Sequence, residues 1–300
     1  MRKPSGVRFP RRSKSAFKRV GVAGVGLIGG SVALAAHAAK ATVTAFDTDA
    51  DALSYAREKR MVDATVADLA ELVRAVDVLV LAAPLPATLD ALAQLRALDA
   101  SGLWPELILD VASTKRAVAK AGSAVRNFVP SHPIAGAERR GPMAARADLF
   151  TGRTWAFVPT APGLDRLAEA FITTLGAEPF PIGADRHDTV LALTSHLPQL
   201  VSTLLAATLA AHTAEADVST LCGPGMSSMM RLAHADFGLW EPILGENRAA
   251  VATVLGELTA RLEAARLALE RGEIPALASY FGDAHRAVRE LEERSPKPSR

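Results

Sequence analysis

Short runs of β-branched and aliphatic residues alternate, from residue 19 onward, with longer stretches in which Ala and Leu recur at helical spacing. The short runs predict strands over 19–23, 42–47, 76–82, 107–111, 128–131 and 154–158. Of the helices predicted between them, the one over 48–59 opens on the helix-starting pair Thr48 and Asp49. Right-handed crossovers between parallel strands make an α/β, doubly wound sheet the economical packing. Beyond Pro179-Phe180-Pro181 the strand signals stop, and Ala/Leu periods over 185–294 predict a second, all-helical domain. Its helices are apolar over wide faces, notably 191–209, so a homodimer that buries them is expected. The division expected is a basic, disordered leader over 1–17, the sheet domain over 18–184, the helical domain over 185–294 and a frayed tail over 295–300.

Three hundred residues exceed what one hydrophobic core usually serves, and 49% apolar with 22% charged residues is a globular composition. A single cysteine, Cys222, excludes an internal disulfide and a cysteine-based zinc site, and fits a cytoplasmic compartment. Residues 1–19 carry eight of the 34 basic side chains and none of the 32 acidic ones, so the remaining chain is net acidic. Such a leader is expected to be solvated; contact with nucleic acid, anionic lipid or an import receptor is the functional alternative. The apolar run over 20–39 has the length of a membrane span, but Gly21, Gly24, Gly26, Gly29 and Gly30 suit a strand, a loop and a helix start. Neither a membrane segment nor a nucleic-acid partner is expected.

The run Gly24-Val25-Gly26-Leu27-Ile28-Gly29 closes a predicted strand and opens a helix, and Asp47 follows 23 positions after the first glycine. That context turns a weak G-x-G-x-x-G pattern into a strong dinucleotide fingerprint and makes the first domain Rossmann-type. Gly24 permits the turn, Gly26 a close approach of pyrophosphate, and Gly29 close helix–strand packing, with phosphates on the amides of the helix start near Leu27 and Ile28. Asp47 would accept the ribose hydroxyls and repel a 2′-phosphate, so the expected cofactor is NAD. Pro84 and Ser113 fall at strand ends facing the cofactor crevice.

None of the seven histidines shows metal-ligand spacing, and no metal is expected. His132, in Ser131-His132-Pro133-Ile134-Ala135-Gly136, follows a predicted strand in a loop held by proline and glycine. From the carboxyl edge of the sheet it would reach a substrate against the nicotinamide and take a hydroxyl proton as hydride leaves. His196 lies beside Pro198, which should bend its helix and free the carbonyl of Thr194. His187 precedes His196 by nine residues, about half a turn off at 3.6 residues per turn, and the two are not expected to serve one site.

The glycine run, Ser113, the stretch from His132 to Glu138, His187-Asp188 ahead of Ser195-His196-Leu197-Pro198, and Arg231 with Trp240 resemble the prephenate/arogenate dehydrogenase family. The resemblance implies a nucleotide domain joined to a dimerising helical domain. The activity implied is oxidative decarboxylation of prephenate to 4-hydroxyphenylpyruvate, or of arogenate to tyrosine. It also implies that His132 and Ser113 act at the ring hydroxyl and that His196, Arg231, Glu138 and Trp240 bind substrate. Where some members carry Lys-Asp ahead of the arginine, this chain has Ser227-Ser228.

Three alternatives stand beside this reading. One is a dehydrogenase of 4-amino-4-deoxyprephenate on the same architecture. A β-hydroxyacid dehydrogenase would normally draw a catalytic lysine from the helical domain, and 185–294 contains no lysine. An NAD-sensing regulator would use the basic leader on nucleic acid.

Overall fold

The computed structural model describes residues 17–98, 102–136, 140–212 and 216–294. Six parallel strands form the main sheet in the order β3-β2-β1-β4-β5-β6: β1 (Arg19–Ala23), β2 (Thr42–Phe46), β3 (Ala64–Thr65), β4 (Val78–Leu81), β5 (Leu107–Asp110) and β6 (Phe128–Val129). The near-continuous apolar runs Val-Leu-Val-Leu of β4 and Leu-Ile-Leu of β5 are buried throughout because helices cover both faces. Those helices are α1 (Leu27–Ala38), α2 (Ala50–Glu58), α3 (Leu69–Ala75), α4 (Leu85–Ala97), α5 (Arg116–Gly122) and α6 (Pro162–Thr174). The strand order reverses between β1 and β4, and the G-x-G-x-x-G loop lies at that switch point.

The structure redraws several boundaries. α2 begins at Ala50, not Thr48, because the Asp49 side chain caps it by accepting from the amides of Asp51 and Ala52. Phe17, read as part of the leader, is buried edge-on against Phe171; the rest of the leader lies outside the described residues. The expected strand over 128–131 is divided at Pro130, and its second part, β7 (Ser131–Pro133), belongs to a separate sheet. There β7 runs antiparallel to β8 (Thr154–Phe157), which pairs in parallel with β9 (Glu178–Pro181). Pro179 and Pro181 obscure β9 in the sequence and are tolerated because it is an edge strand. His132 therefore sits in a strand opposite Ala156, not in a loop.

The second half is helical: α7 (Ala184–Leu191), a π turn (Ala192–His196), α8 (Leu197–Ala210), α9 (Ala216–Thr220), α10 (Pro224–Met230), α11 (Phe237–Glu246), α12 (Arg248–Glu270) and α13 (Ala278–Arg294). The run Ala184–Ala210 is long and apolar enough, by length and composition, to cross a membrane. Its buried polar groups His187, Asp188 and His196 are tied to neighbouring elements of the same chain. Leu193 and Leu204 on this run, and Leu262, Phe281 and Leu291 on α12 and α13, stand more than half exposed.

Candidate active site

At the switch point Gly24 has φ +100°, and a Cβ there would lie 2.7 Å from the backbone of Ala82. At Gly29 a Cβ would stand 1.9 Å from the Gly24 carbonyl oxygen, so α1 starts pressed against the loop. Gly26 has open space where its Cβ would be, and it caps α1 without a side chain, leaving first-turn amides such as those of Leu27 and Ile28 uncapped. Asp47 follows β2; one carboxylate oxygen accepts from Val25 N at 2.5 Å and the other from Asp49 N at 2.9 Å. Pro84 caps α4 beyond the carboxyl end of β4, which flanks β1, and Ser113 lies half-buried beyond the carboxyl end of β5, the next strand out. An open cradle of amides with a fixed carboxylate beside it fits a nicotinamide dinucleotide.

Beneath Ser113 the chain buries an ion pair. Lys115 Nζ donates to Asp110 Oδ2 and, at 2.6 Å, to the Ser131 carbonyl. Asp110 also accepts from the amides of Ser131 at 2.7 Å and Ala112 at 2.9 Å, and Ser131 Oγ accepts from the Trp155 indole at 3.0 Å. Burial raises the Asp110 carboxyl and lowers the Lys115 ammonium, against their mutual attraction. This network fixes β7 to the end of β5 and so fixes where His132 stands.

His132 Nδ1 lies 3.0 Å from His187 Nε2, and His187 Nδ1 lies 2.8 Å from Asp188 Oδ1. Asp188 accepts in addition the amides of Lys115 at 2.7 Å and Arg116 at 3.0 Å. Burial would raise the Asp188 carboxyl, but the bonds from His187 and the two amides outweigh it and hold the group below the usual carboxylate range. Desolvation pushes His132 well below the usual histidine value, and His187, Lys115 and His196 push the same way.

His187 and His196, read as facing apart, share this site. Nine residues of α-helix turn through about 900°, half a turn out of phase; a π turn absorbs one residue and leaves about 80° between them. The turn falls at Ala192–His196, just before Pro198, whose missing N–H and ring disfavour the ordinary ladder. The side chain of Asn247, at the start of α12, completes the arrangement. It donates to His196 Nδ1 at 3.1 Å and to the Asp188 carbonyl at 2.7 Å, and accepts from Arg116 at 3.2 Å. His196 therefore carries its proton on Nε2. Burial lowers its pKa to about 4, and the ring meets Trp240 edge-on at 5.8 Å.

Arg231 stands exposed on the turn Arg231–His234 beside α8, where Gln199 donates to Leu232 O at 2.8 Å and Ser202 to Met229 O at 2.7 Å. Glu138 lies outside the described residues. Among the described residues no group of three or more His, Cys, Asp or Glu is arranged to hold a metal ion. The sequence reading assigned no place in the site to His187, Asp188, Asp110, Lys115 or Asn247; only His187-Asp188 carried a signal, as a motif pair.

Two family models match the chain: the nucleotide-binding domain of prephenate dehydrogenase over residues 31–176 and its dimerization domain over 183–283. A cyclohexadienyl dehydrogenase of Zymomonas mobilis is 29% identical over 90% of this chain and 95% of its own. Among solved structures, prephenate dehydrogenase from A. aeolicus in complex with hydroxyphenyl propionate and NAD+ superposes with a TM-score of 0.82 at 23% identity, covering 91% of this chain and 98% of that one. Synechocystis arogenate dehydrogenase gives 0.74, also at 23%, over 91% and 99%. The crystal structures share the fold, the two models between them take in both the sheet and the helices, and the chain belongs to the prephenate/arogenate dehydrogenase family.

Proposed function

We propose that the chain catalyses the NAD-dependent oxidative decarboxylation of prephenate to 4-hydroxyphenylpyruvate, or of arogenate to tyrosine, with His132 as the base. One observation carries the reading: a histidine held neutral by its surroundings stands beyond the carboxyl edge of a nucleotide-binding sheet, its Nε2 without a hydrogen-bond partner among the described residues. NAD, when bound, supplies the hydride acceptor. His132 Nε2 takes the C4 hydroxyl proton, the ring carboxylate departs as CO2, and aromatisation drives the step. Ser113 hydrogen-bonds near that hydroxyl. His196, with its N–H on Nε2, Trp240 and Arg231 hold the substrate, Arg231 by its fork on a carboxylate; Glu138 joins them.

Asp47, already bonded to two amides, supports NAD over NADP, since a 2′-phosphate would meet a carboxylate with little freedom to swing away. The exposed leucines and phenylalanines of the helical half support a homodimer, and the lone Cys222 supports a cytoplasmic setting. The test is NADH formation with prephenate and arogenate offered separately, NADP as a parallel arm, and His132→Asn as control. Turnover of one substrate that collapses in the variant while NAD still binds is the expected result. No turnover of either by wild-type protein that binds NAD would overturn the assignment and move the search to the 4-amino analogue.

A further inference from the structure

We propose that His187 and Asp188 are positioning residues: they lock His132 into the tautomer with its proton on Nδ1 and take up the charge that His132 gains in the reaction. The proposal rests on the reading of His132 as the base. Its ground is the direction in which each hydrogen bond must run. The backbone amides of Lys115 and Arg116 are donors only, so both Asp188 oxygens are acceptors, and Oδ1 receives His187 as well. His187 thereby holds its proton on Nδ1. Its Nε2 is left as an acceptor, and the group facing it at 3.0 Å is His132 Nδ1, which must donate. The lone pair of His132 then falls on Nε2, where a base needs it.

The same chain of bonds runs in reverse when a proton arrives. The substrate O–H bond breaks and an N–H bond forms at His132 Nε2. The Nδ1 proton of His132 passes to His187 Nε2, while His187 keeps its Nδ1 proton on Asp188. The outcome is a neutral His132 and a His187 imidazolium beside a carboxylate. Of the other ionisable groups facing His132, the Lys115 ammonium at the start of α5 repels a positive charge on its ring, which favours the shift toward Asp188, and His196 from the π turn faces it as a neutral ring. After product leaves, the proton returns along the same bonds to Nε2 and to water.

A purely structural role is available to Asp188, since it caps α5, so the test separates the two. In Asp188→Asn the amide oxygen, in the place of Oδ2, still accepts from Arg116 N, while the NH2 group, in the place of Oδ1, gives up the bond from Lys115 N and donates to His187 Nδ1. The tautomers of both histidines invert, and His132 presents an N–H to the substrate. In His187→Gln the amide oxygen still accepts from His132 Nδ1, so the tautomer is kept and only the proton sink is lost. The expected order of kcat is wild type, then His187→Gln lower by about 10-fold to 100-fold, then Asp188→Asn lower by about 10³-fold or more, with NAD affinity and KM within about threefold. Because Asp188→Asn also costs α5 one of its two caps, the order of kcat is read together with the tautomer of His132, which a lost cap alone does not invert. Imidazole 15N NMR of the resting protein reads the tautomer without turnover: Nδ1–H on His132 in wild type and His187→Gln, Nε2–H in Asp188→Asn. An Asp188→Asn protein that keeps kcat within tenfold, or a His132 whose tautomer does not change, overturns the proposal. Wild-type protein that turns over neither prephenate nor arogenate overturns the functional reading and leaves the NMR result to decide the tautomer.

Discussion

Replacing Lys115 by Met removes one partner of the ion pair buried between β5 and β7 while nearly preserving side-chain volume. The Asp110 carboxylate is left with two amide donors, from Ser131 and Ala112, and no counter-charge, and the Ser131 carbonyl loses its ammonium donor. Breaking a buried pair in this way costs about 3–5 kcal/mol. The two surviving amide bonds place Lys115→Met near the lower end, about 3 kcal/mol at pH 7, or roughly 6–12 °C in Tm at 2–4 °C per kcal/mol. The loss depends on pH with a definite sign. Without the ammonium the folded-state pKa of Asp110 rises further above its unfolded value, so the folded variant binds a proton more readily than the unfolded chain. The gap to wild type therefore narrows as pH falls from 7 toward 5. Urea unfolding of wild type, Lys115→Met and Lys115→Met/Asp110→Asn at both pH values measures this, with the double variant expected to recover about 2 kcal/mol. A single variant within 1 kcal/mol of wild type, or a double variant no more stable than the single, would refute the reasoning.

Gly29→Ala places a methyl 1.9 Å from the Gly24 carbonyl oxygen, which only a shift of the loop relieves. Titration by fluorescence should show NAD affinity falling by about 100-fold or more, a displaced phosphate cradle, with helix content by circular dichroism unchanged. For pH, His196 sits at about 4 in the fold against 6.5 unfolded, so the folded chain resists a proton that the unfolded chain accepts. Stability from this group is present above 6.5 and lost as pH falls toward 4, by roughly 3 kcal/mol in all. Melting temperatures across that window should fall in wild type and fall less in His196→Gln.

The fold was legible where burial is two-sided. The runs that became β1, β4 and β5 have no alternation to misread, and glycine loop, strand and acidic residue reinforced one another. Where a local rule met a tertiary exception the reading failed. Pro130 split one expected strand between two sheets, and Pro179 and Pro181 concealed an edge strand. The half-turn offset between His187 and His196 holds for an uninterrupted α-helix; Pro198 announced an irregularity but not that it would be a π turn that brings the two together. Lys115, Asp110 and Asn247 leave no pattern in a sequence: Lys115 and Asp110 stand five residues apart, but the groups that they and Asn247 fix, Ser131 and Arg116, lie 16 to 131 residues away.

The amides that open α5 are capped by no local side chain; their acceptor is Asp188, more than 70 residues on and beyond the second sheet. A contact of that separation closes a loop of more than 70 residues, whose ordering cost is met only with the helical half in place. The sheet half, although it reads as an autonomous nucleotide module, is therefore finished only when the helical half docks on it. Ser113 and Lys115 at the cofactor edge acquire their final support in that step, and a chain cut before α7 would fray where the chemistry is to take place. Maturation of the fold and maturation of the site are one event.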